Sequence, residues 1–278
     1  MPTLVLGTAQ FISDYANYAG TRKDPKRLLK HAIDIGVSHI DTAPVYEGAH
    51  KAIGAIANKL KITTKIPEYK INHQSFNDHL QESLNKSLLD LKVSKLDSLL
   101  IHNTKNFLEN YDADTVRLLE SLKGELYNNF GFSVYEKDEA NFVIDNFPVD
   151  IVQLPLNIFN TSFLEDAYLD KLKHHGILSQ ARSIFLQGKL LVRTKNNNSH
   201  LDQHLIKWFD YCDEYKLNPI DIILTFIHRI NDLDFYIVGA NTIREFDEIL
   251  DFKKIVLKDD FLQRMATSNK EIIDPRYW

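Results

Sequence analysis

Residues 37–65 read VSHIDTAPVYEGAHKAIGAIANKLKITTK. The apolar run Val37–Ile40 ends in Asp41, and a short loop then carries Tyr46. A helix-like segment follows, and a second short strand, Lys61–Thr64, ends in Lys65. One strand further on, Leu96–Ile101 ends in His102. An acid, a phenol, an amine and an imidazole at or near the ends of successive strands point to proton-transfer chemistry on one face of a parallel sheet.

The rest of the chain repeats this strand-then-helix alternation. Thr3–Leu6 is a short apolar strand that breaks at Gly7, and Asp24-Pro25 reads as the start of a helix closed by Gly36. Helical runs are predicted over Ala49–Lys59, Phe76–Leu91, Val116–Tyr127, Glu139–Phe147, Leu164–His174, His200–Tyr215, Pro219–Ile230, Ile243–Phe252 and Lys258–Ser268. The remaining strands are Asn129–Val134, Asp150–Leu154, Ile177–Ser183 and Phe235–Val238, which brings the strands to eight. They are short continuous apolar runs, as expected when both faces are buried. Eight βα units in 278 residues read as one α/β domain, residues 1–278, folded as a (β/α)8 TIM barrel. The rival, an open doubly wound sheet, lacks support because Gly7-Thr8-Ala9-Gln10 is not a G-x-G-x-x-G phosphate turn. Lys195–Ser199 is the one compositionally biased patch and reads as a mobile loop.

Composition narrows the function classes. The net charge of −5 leaves no basic surplus for a nucleic-acid partner. Cys212 is the single cysteine, so no intrachain disulfide forms. No run approaches the roughly 18 apolar residues of a membrane span, and MPTLVLGTAQF has no basic n-region. A cytoplasmic protein with no membrane partner is expected. Asp41 and His102 have no H-x-H or H-E-x-x-H companion, so no metal site is expected.

Several blocks together resemble the aldo-keto reductase superfamily, short bacterial members in particular. They are GTA at 7–9, HIDTAPVY at 39–46, TTK at 63–65, LLIHN at 99–103, GFS at 131–133, VQLPLN at 152–157 and VGA at 238–240. The resemblance implies the same barrel and a hydride transfer between a nicotinamide cofactor and a small-molecule carbonyl or alcohol. It places the catalytic residues on Asp41, Tyr46, Lys65 and His102. A tyrosine with its ordinary pKa of about 10 is a sluggish donor, and a buried Lys65 ammonium is expected to lower that value, with Asp41 keeping the lysine charged and His102 orienting the carbonyl. For the cofactor it implies Gly7 and Thr8 near the ribose and nicotinamide, Ser133 and Gln153 beside the carboxamide, and Asn157 less directly. Ser183, Leu186 and Gly188 fall in a pyrophosphate loop, and Gly239, Thr242 and Glu248 at the adenosine end.

The chain departs from the pattern in places. Glu47 and Ala49-His50 stand where the family has Gly and a Ser-Glu pair, the N-terminal hairpin that plugs the barrel bottom in many members is expected to be missing or differently built, and residues 103–113 read as a short loop beside an open pocket. Glu245 falls where many members put a base on the cofactor's 2′-phosphate, with Arg244 one place earlier. Family habit implies NADPH as the cofactor, and Glu245 implies weaker discrimination, so that NADH is also accepted. The stretch Phe185–Gly188 and the tail Asp274-Pro275-Arg276 resemble members that act on surface sugars, so a carbohydrate-like substrate is expected. The rival functions are a cofactor-binding regulatory barrel without turnover and a non-redox barrel hydrolase. The sequence leaves the oligomeric state open.

Overall fold

A computed structural model describes residues 1–11, 24–70, 74–193, 195–258 and 260–278. The described residues form eight parallel strands, each hydrogen-bonded to the next in sequence and the last to the first, closing a barrel. The strands are β1 (Thr3–Gly7), β2 (His39–Asp41), β3 (Lys61–Ile66), β4 (Leu96–Ile101), β5 (Tyr127–Ser133), β6 (Ile151–Pro155), β7 (Leu178–Arg182) and β8 (Phe235–Gly239). This is the (β/α)8 barrel expected from the alternation. Among the described residues no helix is long and apolar enough to cross a membrane.

Register determines which side chains share a level. Gly7 lies opposite Asp41 and Gly239, and Asp41 opposite Thr63. Ser133 lies opposite Gln153, and Gln153 opposite Gln180. The C-terminal end of the barrel thus carries a ring of polar side chains above an apolar core. Close approach of β5 and β6 requires glycine at 131, where an added Cβ would stand 1.7 Å from the carbonyl oxygen of Ile151. On β3, Lys65 is 1% exposed, whereas its neighbour Thr64 bonds the His50 imidazole (3.0 Å) on the helix Ala49–Ile53. Successive strand residues face opposite sides, so the lysine is committed to the barrel interior.

Local signals determine many helix starts. Asp24 accepts from the Arg27 amide, Ser75 from Asp78, Ser199 from Asp202 and Thr242 from Glu245, each satisfying an amide that the helix leaves unpaired.

Five expectations need correction. The helix from Ala49 ends at Ile53, and a 3-10 turn takes Ala57–Lys59; Gly54 packs where a Cβ would meet the Asp90 carbonyl at 2.5 Å. The helix expected over Val116–Tyr127 runs Ala113–Leu122, started by a reciprocal Asp112–Thr115 cap, and Tyr127 opens β5 opposite Leu96 instead. Residues 103–113 are not a plain loop, because Asn103 caps a helix over Thr104–Asn110. Leu164–His174 is broken at Glu165 and Asp166, leaving a helix over Tyr168–His174. Of the last expected helix, Asp259 lies outside the described residues, and the helix observed is Phe261–Met265.

Candidate active site

β2 and β3 deliver a buried ion pair. Lys65 Nζ donates to Asp41 Oδ1 and Oδ2 at 2.8 and 2.7 Å and to the Thr42 carbonyl at 3.1 Å. The lysine and aspartate side chains are only 1% and 5% exposed. Gln153 braces the pair from across the barrel. Its Nε2 donates to Asp41 Oδ1 (2.8 Å) and to Gln180 Oε1 (2.7 Å), while its Oε1 accepts from Ser133 Oγ (3.2 Å). A side chain expected beside a carboxamide therefore spends its own amide on holding Asp41, Ser133 and Gln180 together.

Tyr46 and His102 stand over this base. Their rings meet edge to face with centroids 6.2 Å apart, and Lys65 Nζ lies 5.6 Å from the centre of the Tyr46 ring. The His102 imidazole is pushed down to about 3, by burial first and then by the charges of Lys65 and Arg182, so it is neutral at pH 7. The Lys65 ammonium is also pushed down by burial, with Asp41 acting in the opposite sense.

The electrostatics correct one expectation. Tyr46 was expected to have its pKa lowered by Lys65. In the barrel the phenol lies well above its ordinary value, because burial and then the Asp41 carboxylate disfavour the phenolate. The lysine's charge is already engaged by Asp41, and the cation that opposes this rise is Arg182.

These groups open onto a cavity of about 610 Å³ at the C-terminal end of the barrel. Gly7, Thr8, Asp41, Tyr46, His102, Ser133, Gln153, Ser183, Gly188, Gly239 and Glu248 all line it. Lys65 is not among the lining residues and sits beneath the floor, paired with Asp41. Leu186 is fully buried behind the wall. Thr242 caps the helix Ile243–Leu250 instead of facing the space. Asn157 likewise serves the backbone, accepting from the amides of Phe159 and Asn160 and donating to the Ser183 carbonyl.

After β7 the wall is a strained loop. Ser183, Leu186 and Gln187 hold φ of 61°, 48° and 55°, and Gly188 follows at 82°. Left-handed backbone at non-glycine residues costs on the order of 1–3 kcal/mol each and concentrates at ligand sites.

At the far end Glu245 and Glu248 face the cavity. Glu245 turns back to accept from the amide and side chain of Asn241 at 2.8 and 3.0 Å. Arg244 does not fold back: it is exposed and donates to Glu248 at 3.0 Å.

The residues that sequence reading did not assign to the site are Gln10, Tyr135, Gln180, Arg182 and Arg276. All but Gln180 line the cavity. Arg182 ends β7, at the position where Asp41 ends β2, and that shared strand-end placement was the available signal.

A closed parallel barrel with its polar side chains gathered at the C-terminal mouth is a (β/α)8 enzyme architecture. The chain belongs to the aldo/keto reductase family, whose sequence pattern matches residues 3–270. It is therefore an oxidoreductase, of a family that uses nicotinamide cofactors, generally NADPH, on small carbonyl compounds. Solved structures share the fold at low identity. An aldo-keto reductase of Bacillus halodurans is 13% identical with a TM-score of 0.73, covering 99% of this chain and 95% of its own. A glycerol dehydrogenase of Gluconobacter oxydans is 18% identical with a TM-score of 0.68, covering 98% and 92%. An aldo-keto reductase described as putative, from Pseudomonas aeruginosa, is 21% identical with a TM-score of 0.64, covering 88% and 87%.

Proposed function

We propose that this protein, acting as one catalytic domain in the cytoplasm, reduces a small carbonyl compound, carbohydrate-like in its hydroxyl pattern, to the alcohol. The observation that carries the reading is the convergence of Tyr46 and His102 over the Lys65–Asp41 pair. Reduction adds one hydride to the carbonyl carbon and one proton to its oxygen. The nicotinamide dinucleotide supplies the hydride when bound.

The residues present fit that group. Ser133 and Gln153 offer a buried polar edge at the reaction end, and the strained loop 183–188 forms a wall. Among the described residues the buried acceptors Gln10 Oε1 and Asn241 Oδ1 have no hydrogen-bond partner, and both residues line the cavity. Such orphaned acceptors call for donors of the kind that ribose hydroxyls and an adenine amine provide.

Tyr46 gives the proton to the carbonyl oxygen. Its raised pKa keeps it protonated at neutral pH, which suits reduction rather than the reverse. His102 is neutral and donates an N–H to the same oxygen without adding charge. Asp41 and Lys65 hold the floor, and water is excluded from it by burial. NADPH binds, as is general in the family, and NADH is also accepted because a carboxylate, Glu245, rather than a base lines the cavity at that position.

Tyr46→Phe tests the reading. kcat for an aldehyde should fall by about 10²–10⁴, the usual worth of general acid catalysis, while the dinucleotide dissociation constant from fluorescence titration stays put. Near-wild-type turnover would remove Tyr46 as the donor. Tight dinucleotide binding with no turnover by the wild type would favour the regulatory barrel.

A further inference from the structure

The reaction end of the cavity holds an uncompensated positive charge. Arg182 lines it together with Tyr46 and His102. Its Nη2 donates to the Val134 carbonyl at 3.0 Å and its Nη1 to Ser183 Oγ at 3.4 Å, while its buried Nε has no hydrogen-bond partner among the described residues. Among the described residues Arg182 forms no ion pair. The carboxylate whose field it meets, Asp274, is engaged by Arg276 through contacts of 3.0 and 2.6 Å. Lys65 is matched by Asp41 in the same way.

The guanidinium is also held in place. Arg182 Cζ and Arg276 Cζ lie 4.3 and 3.6 Å from the centre of the Tyr135 ring. Cation–π contact and a backbone acceptor remove most of the arginine's rotamer freedom before any ligand arrives. An immobilised, partly desolvated guanidinium whose Nη1 and Nη2 have each spent one of their two N–H groups is a carboxylate receptor.

We propose that Arg182, steadied by Tyr135, receives a carboxylate carried on the substrate, so that the carbonyl compounds reduced here are anionic. This rests on the reductase reading above and names the substrate class of the same site.

The test compares 4-formylbenzoate with 4-formylbenzamide, which share size and aldehyde and differ in charge. With the full chain and NADPH, kcat/KM should favour the benzoate at least tenfold, chiefly through KM, and the preference should shrink as sodium chloride is raised. Arg182→Met should bring the ratio near one, and Arg182→Lys should restore part of it. Calorimetric titration of the unreactive benzoate against benzamide gives a readout without turnover, with benzoate bound more tightly by the wild type and not by Arg182→Met. Equal efficiency for the two aldehydes in the wild type overturns the proposal while leaving the reductase reading intact. If neither aldehyde is reduced, the reductase reading is in question, and the titration still decides: equal binding of benzoate and benzamide overturns the proposal. Arg182→Met that weakens NADPH binding and leaves the aldehyde ratio unchanged also overturns it, assigning the arginine to the dinucleotide.

Discussion

Replacing Lys65 by methionine removes a charge from the least exposed ion pair among the described residues. The ammonium makes three contacts, two to Asp41 and one to the Thr42 carbonyl. Without it the Asp41 carboxylate, 5% exposed, retains one side-chain donor, Gln153 Nε2. Removing one partner of a buried pair costs about 3–5 kcal/mol, because the other charge stays desolvated and unmatched. At roughly 2 °C per kcal/mol for a chain of this size, the melting temperature should fall by about 6–10 °C. The barrel stays folded, since its apolar core is untouched, and aldehyde reduction is lost. The double replacement Asp41→Asn with Lys65→Met removes both charges and keeps an acceptor for Gln153, so most of the lost stability should return. Calorimetric melting of the wild type, both single variants and the double variant closes the cycle. If the single losses add to the double loss within about 0.5 kcal/mol, the two residues are uncoupled and the account of this floor is wrong.

Two further outcomes follow from the same geometry. The imidazoles of His50 and His102 are pushed down to about 4 and about 3, by burial first in both cases. Between those values and 6.5 the unfolded chain binds more protons, so their contribution is intact above 6.5 and is lost as pH falls through the window. Each should cost on the order of 2 kcal/mol by pH 5, and melting curves from pH 7.5 to pH 5 should show the drop, with His50→Gln flattening part of it; a pH-independent wild type would contradict the burial of these rings. Glu245→Gln keeps an acceptor for Asn241 while removing the charge, and should raise the NADPH-over-NADH affinity ratio about tenfold, the equivalent of about 1.4 kcal/mol. A ratio unmoved in fluorescence titration would show that position 245 does not face the 2′ site.

The barrel was legible in the sequence because its signals are local. Short apolar strands bounded by caps at Asp24, Ser75, Ser199 and Thr242 recur along the chain, and Asp41, Lys65 and His102 sit at strand ends where period and punctuation alone locate them. Helix interiors were less legible. Ala49–Lys59 and Val116–Tyr127 have helical periodicity, but Gly54 and Gly124 interrupt or end them for tertiary reasons: Gly54 packs against the Asp90 carbonyl, and Gly124 takes φ 86° before Tyr127 enters β5.

What only the tertiary structure decided is the electrostatic balance of the mouth. Arg182, Tyr135 and Arg276 come from β7, the segment after β5 and the chain's last turn, separated by 47 and 94 residues, and nothing local links them. The shift of Tyr46 depends on which cation its phenol meets free and which is already engaged by a carboxylate. Sequence supplied the residue types at the strand ends and with them the kind of chemistry. The sign and balance of their charges depend on distance and burial across the closed barrel, because Coulomb interactions and desolvation act through space between residues far apart along the chain.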